Sequence, residues 1–411
     1  MKLPKLRRFL ESHWKPIVLY GGLFAVLAAS LVWRIGSLVP TYNTNEAASF
    51  LMSRSLEGLF NMPLNAPFYL VVKALSFVFP NDLVATRLAA VVFGFGTLIL
   101  FALLLRQWHG RRTAVIGTLL FGLSAWFLHT ARFGAPEVLY FGIFALAACG
   151  FWLRQTGSRL ALITSLALTA LMLYVPGMVW FIVLGVIWRW KVIDRAFKKH
   201  LATVSATTLL FLGALVPLAL ALYKTPALIK PWVGLPADWP TPVEMGRNLL
   251  EVPYHLLVRG EATPATWLGT APILDVFSLV MFIVGGYLYL RHGKLARTPL
   301  FLGIAVVMAA LMTIGSPISF TVIIPFMYLL VAAGTSHVLG EWFKVFPRNP
   351  IARTIGTGVM YIVIGLACVY QLTHYFAGWP HAQATHDAYG ITRSCPRLAS
   401  CLPPPSDTIE K

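Results

Sequence analysis

The sequence predicts an all-α membrane protein with about eleven transmembrane helices. Of its 411 residues, 58% are hydrophobic and 12% are charged, which is about half the charged share of a typical soluble protein. The mean hydropathy is +0.73. This composition excludes a disordered chain, a coiled coil, a collagen-like fibre and an ordinary water-soluble enzyme.

Apolar runs long enough to cross a bilayer recur along the whole chain. A hydrocarbon core needs about 17 to 25 apolar residues in a helix. The first run follows a basic segment, but no convincing small-residue cleavage site ends it, so we expect an uncleaved anchor. The predicted spans are 17–39, 86–106, 113–131, 136–153, 160–176, 177–190, 201–223, 271–290, 299–315, 318–337 and 354–375.

The positions of the charged residues predict how the chain faces the membrane. Lys and Arg number 33, Asp and Glu 15; 21 of the bases but only three of the acids fall on one side of the spans. The positive-inside rule makes that side cytoplasmic, with the N-terminus inside and the C-terminus outside. Because the bases form six short clusters between apolar runs, they fit a rim facing anionic lipid better than a nucleic-acid interface. We therefore expect a protein integral to the cell membrane, without a nucleic-acid partner.

The spans make residues 1–375 one transmembrane domain, followed by a short outer tail at 376–411. Two outer loops, about 40–85 and 224–270, do not fit as spans, and long connections with helices of their own are usually functional. In the tail, Cys395 and Cys401 lie six residues apart. A local disulfide and a pair of reduced thiols both remain open.

The first outer loop carries a carboxylate close to the end of the first span. A juxtamembrane helix is predicted to begin near Asn43 to Asn45, which are good N-cap types, with Glu46 in its first turn. There Glu46 could deprotonate an acceptor hydroxyl. Stabilisation of the helix through its macrodipole explains the same residue equally simply.

A short outer turn between the third and fourth spans brings three ionisable residues together. These are His129, Arg132 and Glu137. Ionisable residues at a membrane face are functional candidates, although an Arg–Glu pair joining two helices is the structural alternative. Arg87 and Arg132 stand at the outer ends of the second and third spans, where a guanidinium could contact a phosphate.

Several different short motifs follow one another along the chain, and all are predicted to lie on the outer side. They are Asn45-Glu46-Ala47, Asn65-Ala66-Pro67, Arg87 to Gly94, Arg132 with Glu137, Tyr174-Val175-Pro176, Gly260-Glu261, and Pro272 to Asp275. In this order they resemble the GT-C superfamily of membrane glycosyltransferases. The branch they resemble is that of protein O-mannosyltransferases and lipid A aminoarabinose transferases. The resemblance covers about residues 15–335.

The resemblance implies a sugar donor linked to polyprenyl phosphate, transfer to a lipid, glycan or protein acceptor at the outer face, and inversion of the anomeric carbon. No glycine-rich phosphate loop is evident, in agreement with a lipid-linked donor. Glu46 is then the expected general base, and Glu137 a second carboxylate that orients the acceptor or holds Mg²⁺ or Mn²⁺. No dedicated metal ligands are assigned. The phosphate contacts expected are Arg87, Arg132 and Arg259; the acceptor and loop candidates are His129, Tyr174 and Glu261.

One departure from the family pattern leaves alternatives open. Asn45 stands where the family has the Asp that serves as base, and an amide cannot take a proton. Either Glu46 replaces that Asp or the chain is an inactive, GT-C-like partner subunit. A lipid or sugar transporter is a further alternative, but it would place charges near the bilayer midplane and use paired broken helices. The spans are nearly free of charge at their centres.

Overall fold

The computed structural model describes residues 3–260, 262–269, 271–293 and 297–390, and this part of the chain is almost entirely helical. The helices are α1 (Leu3–Val32), α2 (Thr44–Arg54), α3 (Leu56–Asn61), α4 (Ala66–Ser76), α5 (Asp82–His109), α6 (Arg111–Gly122), α7 (Ala125–Arg132), α8 (Gly142–Thr156), α9 (Arg159–Met172), α10 (Met178–Lys199), α11 (Leu201–Lys224), α12 (Ile229–Val233), α13 (Pro242–Leu257), α14 (Val276–Arg291), α15 (Thr298–Thr313), α16 (Ile324–Val345), α17 (Pro350–Thr373) and α18 (Gln383–Ala388). Short 3₁₀ turns are Pro136–Phe141, Pro226–Leu228, Phe320–Val322 and Trp379–His381, and His374–Gly378 is a π turn. Strands β1 (Ala262–Thr263) and β2 (Trp267–Leu268) pair antiparallel.

Each predicted apolar run coincides with a helix, and the chain is an integral membrane protein. Within the part of the chain that the structure describes, four helical stretches are by themselves long and apolar enough to cross a bilayer: Asp82–His109, Pro136–Thr156, Leu201–Lys224 and Pro350–His381. The pair α6 and α7 makes a fifth if it counts as one bent span. Other apolar helices, such as Arg159–Met172, Val276–Arg291 and Thr298–Thr313, are shorter, so the number of eleven spans stays a prediction.

The third predicted span is not straight. Helices α6 and α7 meet at an angle of 65°. Ser124 stands at the bend and caps α7, since its hydroxyl accepts a hydrogen bond from the backbone of Phe127 at 3.4 Å. A new N-cap inside an apolar run ends one helix and starts another. After the bend, α7 brings His129 and Arg132 to the same small cavity as Glu46 and Arg87.

Close approach of α14 and α16 depends on two glycines. A Cβ at Gly285 would lie 1.9 Å from the carbonyl oxygen of Leu330, and one at Gly334 would lie 2.1 Å from that of Met281. Small residues allow helix backbones in a membrane to approach closely enough for extensive van der Waals contact. This pair of helices therefore forms a tightly packed part of the scaffold.

The side chains of Asp275 and Gln371 connect three helices at one end of the bundle. Asp275 caps α14 by accepting the backbone N–H of Ser278 at 2.9 Å, and its other oxygen accepts the Gln371 amide at 2.8 Å. The Gln371 carbonyl in turn accepts the backbone N–H of Ala125 at 2.9 Å. These bonds connect the beginnings of α14 and α7 to the last long helix.

Residues 374–390 do not extend away from the bundle; they fold back over the end of the bundle that carries α2 and the β1–β2 hairpin. Trp379 donates to the carbonyl of Pro264 at 3.0 Å, and Tyr389 donates to that of Ala265 at 2.9 Å. The Asn43 amide donates to the Ala388 carbonyl at 2.8 Å. This C-terminal cap (residues 374–390) thus contacts both the β1–β2 hairpin and the start of α2. Cys395 and Cys401 lie outside the described residues.

Candidate functional site

Helix α2 places Glu46 inside the protein, not at its surface. Asn43 is the N-cap, and Glu46 completes a capping box with it, as the sequence predicts for the start of this helix. The Glu46 side chain is fully buried. Burying a carboxylate is costly unless it is paired and hydrogen-bonded, so its partners decide what it can do.

Arg87, from the first turns of α5, is the main partner of Glu46. Its Nε and Nη2 donate to the two carboxylate oxygens at 2.8 and 2.9 Å. The remaining N–H groups reach backbone carbonyls, those of Ile35 at 3.0 Å, Val39 at 2.8 Å and Thr41 at 3.1 Å. A guanidinium has five donors, and all five are used within the protein.

Glu46 is equally saturated. Besides the two bonds from Arg87, one oxygen accepts the backbone N–H of Gly134 at 3.0 Å, and the other accepts that of Asn43 at 3.4 Å. A carboxylate offers about four acceptor positions, and these contacts occupy four. The ion pair therefore joins α2, α5 and the turn before α8, and leaves Glu46 no acceptor position for a substrate proton.

Arg132 donates from two of its nitrogens to the protein backbone, while its Nε is buried without a hydrogen-bond partner. Its two terminal nitrogens donate to the carbonyls of Ser30 at 2.5 Å and Trp33 at 2.7 Å. Its guanidinium carbon lies 5.2 and 4.9 Å from the ring centres of Tyr375 and Phe376. Arg132 thus closes the C-terminal end of α1, where orphan carbonyls need donors, and packs under the C-terminal cap.

His129 is surrounded by aromatic rings. The centres of Tyr375 and Trp379 are 4.6 and 4.8 Å from its own, both edge to face, and that of Trp267 is 5.5 Å away. Its Nε2 is buried without a hydrogen-bond partner. The imidazole therefore packs as an aromatic ring in this arrangement.

Four of the predicted site residues line one small cavity. Glu46, Arg87, His129 and Arg132 surround about 20 Å³, and the C-terminal cap closes it. That volume holds about one water molecule and no sugar. The side chains that close it are Tyr375, Trp379 and Tyr389.

The cap residues are the part of this site that the sequence motifs do not reveal. Tyr389 is buried, and its pKa is raised above the usual value, first by burial and then by the charge of Glu46. The motifs end near residue 335, and the region after 375 reads as a tail. The only available signal was the density of aromatic residues between Tyr375 and Trp379.

Glu137 differs from Glu46 because it keeps a free oxygen. Its Oε2 is buried and has no hydrogen-bond partner. Its charge acts on Tyr69 of α4, a phenol that is hydrogen-bonded to Asn65; burial first, and this charge second, raise the pKa of Tyr69 to about 12. Glu137 and Tyr69 therefore lie close together, with the phenol protonated at neutral pH.

A large apolar cavity adjoins α4 on another face. It has a volume of about 530 Å³ and is lined by α3, α4, α9 and α11, within the usual range for ligand pockets. Tyr174 and Thr207 are the polar residues among its lining. Tyr174 donates its hydroxyl to Ala214 at 2.5 Å, and its carbonyl accepts the backbone N–H of Asn65 at 2.8 Å. This contact links the cavity wall to the residue that holds Tyr69.

Two predicted site residues, Asn45 and Arg259, line neither of these cavities. Asn45 is exposed in the first turn of α2. Arg259 is exposed and donates to the carbonyl of Gly269 at the base of the hairpin. Glu261 lies outside the described residues. Among the side chains that the structure describes, no group of three or more His, Cys, Asp or Glu residues could hold a metal ion.

Comparison with solved structures gives a similar fold in the crystal structure of ArnT from Cupriavidus metallidurans in the apo state. The TM-score is 0.52, with 14% sequence identity, over 90% of this chain and 77% of that chain. No protein-family model and no curated protein matches the sequence. The fold is similar to that of ArnT. The polytopic helical architecture predicted from the sequence is therefore confirmed, at an identity that shows the fold alone.

Proposed function

We propose that this protein is a glycosyltransferase that moves a sugar from a polyprenyl-phosphate carrier to an acceptor at the outer face of the membrane. The observation that carries the proposal is the free carboxylate oxygen of Glu137 beside Tyr69 of α4. The same helix lines the 530 Å³ apolar cavity. An isoprenoid tail fits an apolar cavity between spans, and transfer to a hydroxyl needs a carboxylate near the head of that tail.

We propose Glu137, and not Glu46, as the general base. In the reaction, the acceptor oxygen attacks the anomeric carbon, the bond from that carbon to the phosphate oxygen breaks, and its electron pair leaves with the phosphate. The acceptor proton must go to a base with a free lone pair. Glu137 has a free oxygen, whereas Glu46 accepts four hydrogen bonds and would have to release Arg87 first.

Two of the three arginines predicted to contact the phosphate, Arg87 and Arg132, donate to protein groups, so we look for a further cation. We assign these two arginines to holding the scaffold. Lys73 lies one helical turn beyond both Tyr69 and the cavity residue Leu70, on adjoining faces of α4. Its ammonium makes one long contact, 3.4 Å to the carbonyl of Arg54. We therefore propose Lys73 as a contact for the departing phosphate.

A second candidate function rests on a different observation. Asn45 occupies the position of the base in the family pattern, and the neighbouring Glu46–Arg87 pair is fully engaged under the cap. These features favour a GT-C-like subunit that has kept the scaffold and lost catalysis. Such a chain would bind a partner and transfer no sugar.

One experiment distinguishes the two proposed functions. Purified protein in lipid nanodiscs is incubated with radiolabelled polyprenyl-phosphate sugars, and release of free polyprenyl phosphate is measured. We expect release by the native chain and its loss in Glu137→Gln and Lys73→Met. Release by Glu137→Gln at the native rate would remove Glu137 as base. No release from any donor by folded native protein would favour the inactive subunit.

The apolar cavity has its own test. Ala167→Phe fills the cavity, whereas Ala206→Phe adds the same ring on α11 at a position that does not line it. We expect Ala167→Phe to raise KM for the donor, because the ring occupies space for the tail, and Ala206→Phe to leave it unchanged. Equal KM values in both variants would place the tail elsewhere.

A further inference from the structure

A third cavity shares no lining residue with the two cavities described above. It has a volume of about 120 Å³ and lies among α8, α9, α10 and α15. The lining is apolar except for Ser165, Thr169 and Arg189. Both hydroxyls donate to carbonyls of their own helix at 2.7 Å. Arg189 is therefore the charged group of this cavity.

Arg189 is buried without a hydrogen-bond partner for two of its nitrogens. Its side chain is 8% exposed, and neither Nε nor Nη2 has a partner. The guanidinium carbon lies 3.4 Å from the ring centre of Trp188 and 4.5 Å from that of Phe151. Ring faces attract the cation, but they accept no ordinary hydrogen bond. A guanidinium with unused donors among membrane helices marks a functional site.

The charges around Arg189 add to its positive potential. Arg154 is close enough for its charge to act on Arg189. The acidic residue of α10, Asp194, is bound to Lys198 at 2.9 Å instead. By the distribution of bases, this end of α10 faces the cytoplasmic leaflet. Basic pockets between membrane helices on that side suit anionic lipid head groups.

We propose that this cavity binds an anionic phospholipid of the cytoplasmic leaflet, with its phosphate on Arg189 and the start of an acyl chain among the apolar side chains. The phosphate oxygens supply the acceptors that Nε and Nη2 lack, and an Arg–phosphate contact can be bidentate. The apolar lining suits the hydrocarbon and not a free ion. The inference is independent of the sugar-transfer site, since the two cavities have no lining residue in common, although α9 contributes side chains to both.

Native mass spectrometry of delipidated protein tests the proposal. The protein is titrated with phosphatidylglycerol, with phosphatidylcholine, and with inorganic phosphate as a competitor. We expect tighter binding of phosphatidylglycerol, and a loss of roughly tenfold or more in Arg189→Gln, because a hydrogen bond to a charged group is lost. Arg195→Gln removes one charge from the same helix at an exposed position that does not line the cavity, so it should keep the preference.

A second variant keeps the arginine and fills the cavity. Gly185 lines the cavity, and a Cβ there would meet nothing within 4 Å, so a side chain can start there, and Gly185→Leu should fill part of the cavity and also weaken phosphatidylglycerol binding. Retention of the preference in both variants would overturn the proposal. Equal binding of the two lipids would do the same. Displacement of the lipid by millimolar phosphate would show a site for a free anion and contradict the role of the acyl chain.

Discussion

Arg87 donates two hydrogen bonds, of 2.8 and 2.9 Å, to the carboxylate of Glu46, which lies 41 residues earlier in the sequence. This pair joins α5 to α2, and the further bonds from Arg87 to the segment of residues 35–41 fix the chain between α1 and α2. Glu46, which was expected to replace the base of the family motif, is therefore a structural partner of Arg87 in this arrangement. The Glu46–Arg87 pair holds the segment between α1 and α2 in position.

Removal of either partner should destabilise the protein. A buried charge left without its partner costs about 3–5 kcal/mol. We expect Glu46→Gln and Arg87→Met each to lower the unfolding midpoint in detergent. The double variant should lose less than the sum of the two, because the partners act as a unit. Glu57→Gln, at an exposed position on α3, is the control and should change little. If Glu46→Gln kept the unfolding midpoint of the native chain but lost sugar transfer, Glu46 would again be the best candidate for the base.

The sequence alone was sufficient for the helices and for the start of α2. Long apolar runs leave a bilayer chain few alternatives to helix, and each predicted run coincides with one. The Asn43 cap and the position of Glu46 in the first turn follow from local chemistry, and the structure confirms both.

What the sequence did not reveal depends on contacts between distant segments. For the turn between the third and fourth predicted spans, one alternative was an ion pair between Arg132 and Glu137. Instead, Arg132 donates to carbonyls at the end of α1, and Glu137 keeps a free oxygen. The pair that does join helices is Glu46 with Arg87. Nothing local distinguishes these pairings. The cap was missed for the same reason, since Trp379 and Tyr389 bond to a hairpin more than a hundred residues earlier.

Two glycines two residues apart in α5 should respond oppositely to alanine. A Cβ at Gly94 would lie 2.5 Å from the Cβ of Ala131, whereas one at Gly96 would meet nothing within 4 Å. Overpacking of a close contact costs about 1–3 kcal/mol. We expect Gly94→Ala to lower the thermal midpoint and Gly96→Ala to leave it equal or higher, because alanine favours helix. Equal midpoints would mean that α5 and α7 are not in close contact.

Loss of Trp379 should release the C-terminal cap. The indole is buried, stacks on Tyr375 and donates to Pro264. Truncation of a buried Trp to Ala costs about 3–5 kcal/mol, so limited proteolysis should cut the variant soon after α17. Trp239→Ala removes an indole that is 59% exposed and should leave the digestion pattern unchanged. A cap that resists protease in Trp379→Ala would be held mainly by the Tyr389 and Asn43 bonds.

An acidic residue at position 45 tests which carboxylate carries the chemistry. Asn45 is exposed in the first turn of α2, where a negative charge stabilises a helix by about 0.3–1 kcal/mol. Thr44→Asp places the same charge one residue earlier, at another exposed position. If Glu137 is the base, Asn45→Asp and Thr44→Asp should both give slightly more stable protein with little change in the rate of sugar release. Activity that rises only in Asn45→Asp, from an inactive native chain, would mean that catalysis belongs at position 45 and that this chain has lost it.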